Sequence, residues 1–255
     1  MIENKGIIFA ADIEEKGILL RTIDEVLPYV EGIKVGNIVL YSFGWAIIKD
    51  IKAICDKPIL VDLKLMDIPY IAKKISTQAY KSGADGIIVC GPIGKDSIMA
   101  CKDVLDSNPI FVFTQFTHST GLINDDMAQE YVKIAMELGC NGVQIPANRP
   151  DRIVSTRSLI GDNALILSCG VGAQGTPIGD AIKYGADYEI IGRAIYKPFP
   201  PHKSPLEAAI SAKQKISNVL YRLSLHDVII SGTSGKGLHY VSKGNIVLRK
   251  RGAVC

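Results

Sequence analysis

The sequence predicts a (β/α)8 TIM barrel with a short C-terminal extension, and three observations carry that prediction. Eight short, nearly unbroken apolar runs rich in β-branched residues recur along the chain, each followed by sequence with helical spacing. Runs without polar alternation are strands buried on both faces, as in a parallel sheet covered by helices. The charged and glycine-rich positions fall at the C-terminal ends of those runs, the rim on which barrels carry their active sites. A doubly wound open sheet is the competing fold, but there is no break into halves and no G-x-G-x-x-G after the first run.

The elements follow in order. Residues 6–12 form the first run and lead into an amphipathic stretch at 14–30, and residues 33–36 form the second run. Pro58 opens the third at 59–62, where Asp62 and Lys64 stand two residues apart and so project to one face of a strand. Asp67 follows in the loop before Ile68-Pro69, where the proline stops the strand and opens a helix. The remaining runs are 86–90, 110–114, 142–145, 165–168 and 188–192, and a closing helix is expected from about 204 to 223. Residues 1–224 are thus read as the barrel domain and 225–255 as the extension. In that extension, apolar runs at 228–230, 238–241 and 246–248 flank the turn-like Ser231-Gly232-Thr233-Ser234-Gly235-Lys236-Gly237 and read as short strands or a hairpin. The basic end Arg249-Lys250-Arg251 reads as a solvated segment.

Composition narrows the function classes. At 255 residues and 47% hydrophobic, the chain buries a large core, and a net charge of +3 is too small and scattered to indicate nucleic acid. No apolar run approaches the roughly 20 residues of a membrane span, and the N-terminus has no signal-peptide pattern. The six cysteines (Cys55, Cys90, Cys101, Cys140, Cys169 and Cys255) are widely spaced with no C-x-x-C. They read as small apolar residues of a reduced, cytoplasmic protein, with neither a disulfide frame nor a metal site.

The candidate site is the rim. Alone, Asp62, Lys64 and Asp67 are equally well read as a structural ion pair capping a strand. Yet Asp12 ends run one, Lys34 lies near the end of run two, and Thr117 and His118 follow run five. Gly170-Val171-Gly172-Ala173-Gln174-Gly175 follows run seven, and Gly192-Arg193 ends run eight. Independent structural pairs would not converge on one rim. Barrels commonly bind phosphate with the loops after strands seven and eight. There Gly170, Gly172 and Gly175 allow backbone N–H groups close to an anion, Arg193 offers a planar fork of donors and Gln174 a neutral one. A phosphorylated small molecule is the expected ligand.

These residues make the sequence resemble the orotidine 5'-monophosphate decarboxylase family, over roughly residues 5–222. The resemblance rests on Ala11-Asp12, Ile33-Lys34-Val35-Gly36, the D-x-K-x-x-D-I-P of Asp62 to Pro69, the G-V-G-A-Q-G loop and Ile191-Gly192-Arg193. It implies decarboxylation of orotidine 5'-monophosphate to UMP without metal or organic cofactor. Asp62 would press on the substrate carboxylate, and Lys64 would stabilise and protonate the C6 carbanion. Lys34 and Asp12 would orient the array and meet the ribose hydroxyls, Thr117 would meet the pyrimidine, and Gln174, Arg193 and the backbone at Gly172 and Gly192 would hold the phosphate. Asp67 would reach into the neighbouring site of a homodimer, and the loop from Gly170 to Gly179 would close as a lid.

Three positions depart from the family pattern. Ile71 replaces a threonine that gives the ribose a hydroxyl across the dimer, Thr117 replaces a serine, and Cys169 replaces a proline before the glycine loop. His118 is read as a loop-packing residue. Metal-dependent sugar-phosphate decarboxylases and aldolases of related barrels share D-x-K-x-x-D but typically carry an acid where this chain has Lys34. They are the first rival reading, and a non-catalytic nucleotide-binding barrel is the second.

Overall fold

The computed structural model describes residues 5–105, 108–198 and 203–232. Eight strands alternate with helices: β1 (Gly6–Ala10), α1 (Lys16–Val26), β2 (Gly32–Gly36), α2 (Asn37–Phe43), α3 (Ala46–Lys52), β3 (Ile59–Leu65) and α4 (Pro69–Lys81) form the first half. Then come β4 (Gly86–Cys90), α5 (Gly94–Leu105), β5 (Ile110–Phe113), α6 (Asp125–Glu137), β6 (Gly142–Pro146), α7 (Pro150–Ile160) and β7 (Leu165–Cys169). The chain continues through α8 (Asp180–Lys183), β8 (Tyr188–Ile191), α9 (Arg193–Tyr196) and α10 (Pro205–Gly232). Neighbouring strands pair in parallel in chain order, and β8 pairs with β1 to close the barrel.

Alternation along each strand separates two packed layers. Ile8, Leu60, Ile88, Phe111, Phe113, Leu167, Tyr188 and Ile190 fill the barrel interior, while Ile7, Phe9, Ile33, Val35, Val61 and Ile191 pack outward under the helices. All of these are essentially inaccessible to solvent, and truncating one such isoleucine or leucine to alanine costs about 2–5 kcal/mol. The same alternation carries Lys34 and Asp62 inward at the C-terminal ends of β2 and β3.

Local chemistry fixes the helix starts. The Glu15 carboxylate accepts from the backbone N–H groups of Gly17 and Ile18 ahead of α1, and Asn124 caps α6 through the N–H of Met127. Ser204 and Glu207 bond each other's backbone N–H groups before α10, a capping box. Pro69 occupies the first position of α4, as its missing donor allows.

The C-terminal expectation is corrected in part. The closing helix does not stop near Leu223 but continues to Gly232, so residues 228–230, expected as a strand, are helical. No glycine or proline lies between Pro205 and Gly232 to end the helix sooner. The expected strands at 238–241 and 246–248 and the basic end Arg249-Lys250-Arg251 lie outside the described residues. No helix among the described residues is long and apolar enough to cross a membrane.

Candidate active site

The chemistry of the rim begins with an irregularity in β3. Its register with β4 shifts between Asp62 and Leu65, and Lys64 adopts φ +48°, the one positive φ outside glycine among the described residues. A lysine in this region is strained by about 1–2 kcal/mol. The distortion keeps both Asp62 and Lys64 on the wall of the cavity that opens at the C-terminal end of the barrel, a volume of about 270 Å3.

Two ammonium groups hold one buried carboxylate there. Lys64 Nζ donates to both oxygens of Asp62 at 2.7 Å, and Lys34 Nζ stands 3.5 Å from Asp62 Oδ2 and 3.6 Å from Asp12 Oδ1. Asp62 is 4% exposed and Lys34 7%. Burial alone would neutralise each of them, but the partners win. Desolvation pushes the Asp62 carboxyl up, yet Lys34 and Lys64 hold it below the usual carboxylate range. Desolvation likewise pushes Lys34 down, yet Asp62 and Asp12 hold it above the ordinary lysine value. The Lys64 ammonium also sits 5.0 Å from the centre of the Phe113 ring, within cation–π range.

The other end of the cavity is built from the loops after β7 and β8. Gly170, Gly172 and Gly175 all have positive φ, and the turn is closed by Gly172 N–H donating to Thr176 O at 2.7 Å and Gly175 N–H to Gly172 O at 2.9 Å. A side chain on Gly170 would meet Gln174 Oε1 and Thr117 Cγ2 at 2.8 Å, so this glycine lets the β5 and β7 loops close on each other. Arg193 begins α9 directly after β8.

The cavity thus brings together Asp12, Lys34, Asp62, Lys64, Thr117, Gln174, Gly192 and Arg193. Two expected residues do not line it. Gly172 packs against Ala194, whose Cβ would be 2.6 Å from a side chain placed there, so its contribution is backbone geometry. Asp67 is exposed, accepts from its neighbour Ile68 N–H at 2.8 Å, and takes the Ser97 hydroxyl on its backbone carbonyl at 2.9 Å. His118 is not on the cavity lining, and its ring lies 5.1 Å from that of Phe116. Cys169 does line the cavity. Burial pushes its thiol up, Lys64 pulling the other way, which makes it a poor nucleophile at neutral pH.

Sequence reasoning missed Gln144, Phe113, Phe116 and Tyr196, which complete the wall. Gln144 left a usable signal: it is the one polar side chain in the sixth run and stands two residues beyond Gly142, on the inward face. Tyr196 left none, since its place depends on α9 turning back over the edge of Phe9.

Comparison with known proteins agrees with this geometry. The family model described as Orotidine 5'-phosphate decarboxylase / HUMPS family matches residues 5–208. The orotidine 5'-phosphate decarboxylase of Methanosarcina mazei is 37% identical over 219 residues, covering 85% of this chain and 97% of that protein. That of Thermococcus kodakarensis is 34% identical, covering 86% of this chain and 100% of that protein. The crystal structure of the Methanocaldococcus jannaschii orotidine 5'-monophosphate decarboxylase complexed with the inhibitor BMP superposes with a TM-score of 0.77 at 31% identity, covering 84% of this chain and 99% of that one. With likeness of this depth running through the whole barrel, the chain belongs to the orotidine 5'-phosphate decarboxylase / HUMPS family.

Proposed function

We propose that this chain decarboxylates orotidine 5'-monophosphate to UMP and carbon dioxide, a step of pyrimidine biosynthesis, with neither metal nor organic cofactor taking part. The observation that carries the reading is the ionised Asp62 carboxylate clamped by Lys34 and Lys64 on the wall of a cavity whose far end is a glycine loop and Arg193. An anion anchored at Arg193 and Gln174 extends toward that carboxylate, and its own carboxylate at C6 meets Asp62. The C6–carboxylate bond breaks, carbon dioxide departs, and the electron pair remains on C6. Lys64, fixed within reach, stabilises that charge and passes a proton from Nζ to C6, then regains one from solvent. Binding energy from the remote phosphate is used in the chemical step.

Several observations support the assignment of roles. Lys34 bridges Asp12 and Asp62, the position a cation shared by two carboxylates would take, which favours the metal-independent reading over the sugar-phosphate decarboxylases and aldolases. Asp12 and Lys34 face the ribose hydroxyls, Thr117 the pyrimidine, and the backbone at Gly192 the phosphate, while Gly172 shapes the turn behind it. Asp67 projects from the rim between the exposed side chains of Met66, Ile68 and Tyr70. An apolar collar around a carboxylate supports a homodimer in which Asp67 completes the neighbouring site. Buried free thiols at Cys55, Cys90, Cys101 and Cys140 support a cytoplasmic protein.

The reaction is tested by ultraviolet absorbance with excess EDTA and no added metal. Loss of orotidine 5'-monophosphate with UMP as product is the expected result. Turnover that disappears with chelator would move the chain to the metal-using members of its family, and UMP binding without turnover would make it a binding protein.

A further inference from the structure

The cavity has a polar group on its floor that the proposed reaction leaves unused. Gln144 is 1% exposed and lines the cavity beside Phe113 and Cys169. Its side-chain Oε1 is buried and finds no hydrogen-bond partner among the described residues. The strand neighbours of Gln144 are Phe113 on β5 and Leu167 on β7, neither of which has a polar side chain to offer. Thr114 bonds only the Gln144 backbone, through its N–H at 3.1 Å and its hydroxyl at 3.0 Å. Three other buried polar atoms share the lack of a partner, on Asn37, Gln115 and Arg149, and none of these residues lines the cavity. Gln144 is therefore the place where an unmet hydrogen-bonding group and the ligand space coincide. A carboxamide at such a position is costly unless something arrives to satisfy it, and leucine or methionine would fill the same volume without the cost.

Its depth says which part of a ligand it meets. Gln144 pairs in register with Phe113, over whose ring the Lys64 ammonium lies at 5.0 Å. On β7 the cavity-lining Cys169 pairs with Pro146, two positions further along β6 than Gln144, and Gln174 and Arg193 come later still. The Gln144 side chain thus belongs to the layer of the reacting lysine and not to the phosphate end.

We propose that Gln144 is a further substrate-contact residue that hydrogen-bonds the pyrimidine end of the nucleotide. This rests on the reaction proposed above. A carboxamide presents a donor and an acceptor together, and the pyrimidine offers both: ring carbonyls with the imide N–H between them, and the C6 carboxylate that departs. A ring contact acts on substrate and product alike, whereas a carboxylate contact acts on the substrate alone.

The test compares Gln144→Met and Gln144→Leu with the unaltered protein. KM and kcat are measured for orotidine 5'-monophosphate, and affinities for the non-reacting UMP and ribose 5-phosphate by calorimetry. The expected result is about a threefold to tenfold rise in KM for orotidine 5'-monophosphate, the size of one hydrogen bond, with ribose 5-phosphate unchanged. UMP weakened in step assigns the contact to the ring, and UMP unchanged assigns it to the carboxylate. A wild-type KM together with wild-type UMP affinity would overturn the proposal, because Gln144 then serves a trapped water. Equal weakening of all three ligands would also overturn it, as a general disturbance of the site. If the unaltered protein turns over no orotidine 5'-monophosphate, the proposed reaction fails by itself, and calorimetry, with that nucleotide then a non-reacting ligand, still decides Gln144.

Discussion

Lys64 Nζ lies 2.7 Å from each oxygen of the Asp62 carboxylate, and this contact joins the stability of the barrel to its chemistry. Asp62 is buried at the end of β3 and shared with Lys34, so it is the common counter-ion of two lysines. Asp62→Asn leaves two ammonium groups facing each other. We expect a loss of stability on the order of 3 kcal/mol, the scale of a broken buried pair, together with loss of turnover. Denaturant unfolding and steady-state kinetics on the variant measure the two. Full stability would show that the lysines are charge-balanced by other groups.

The backbone of Lys64 makes a separate prediction. Its φ of +48° is easily adopted by glycine and strained for alanine. Lys64→Gly is expected to be more stable than Lys64→Ala by about 1 kcal/mol, although both lack the ammonium. Equal unfolding midpoints for the two would show that β3 relaxes once the lysine is gone.

Glu189 predicts a pH dependence of stability. It is fully buried on the outer face of β8 and accepts from Gly179 N–H at 3.0 and 2.9 Å and Ala181 N–H at 2.9 Å. Burial pushes its carboxyl up to about 7, against the pull of those amides and that of Ile182, with Asp180 adding to the rise. The native state then holds a proton that the unfolded chain releases near the ordinary glutamate value. The contribution of Glu189 is therefore most favourable below that value and is lost as pH rises from about 4.5 to about 7. The full change is on the order of 3 kcal/mol, at about 1.36 kcal/mol per unit. Glu189→Gln should flatten this part of the stability profile, read as the difference between the two proteins at each pH. Parallel profiles would mean that the amides keep Glu189 ionised throughout.

Arg157 is a structural counterpart far from the cavity. It is 3% exposed, bonds the carbonyls of Gly185 at 2.9 Å and Ala164 at 3.0 Å, and pairs with Asp187. Arg157→Ala removes the close counter-ion of Asp187, which keeps the Ile166 N–H and the more distant Lys5, and takes the guanidinium away from three carbonyls, Gly161 included. We expect about 3–5 kcal/mol of destabilisation with an unchanged KM in whatever fraction remains folded. A thermal midpoint close to wild type would contradict this.

Arg193 is expected to act on binding more than on chemistry. Arg193→Ala should raise KM for orotidine 5'-monophosphate by at least about tenfold, the weight of a charge-assisted contact to phosphate. An unchanged KM would remove Arg193 from the phosphate site.

What was legible in the sequence follows from what is local. The eight strands show in the apolar runs because burial on both faces leaves no alternation, and Asp12, Lys34, Asp62 and Lys64 stand out as charges at strand ends. Gln144 was legible only as the one polar side chain of the sixth run; the lack of a partner for its carboxamide is a property of Phe113 and Leu167, brought beside it only when the barrel closes. The positive φ of Lys64 leaves no residue-type signature, since lysine is not a residue that favours that region. Glu189 reads in sequence as a polar interruption of a strand, and its use as an anchor for the turn at Gly179 needs α8 in place. Residues 228–230 had strand-like side chains but no stop signal before them, and the continuing helix prevailed.

The central claim is that Lys64 supplies the proton to C6, and the most direct measurement is turnover and UMP affinity of Lys64→Ala beside the unaltered protein in EDTA. The account predicts rapid loss of orotidine 5'-monophosphate with the unaltered protein and at least about a thousandfold lower kcat for the variant, with UMP binding still measurable. A variant that keeps a near-normal rate would contradict it, because the proton would then come from another group.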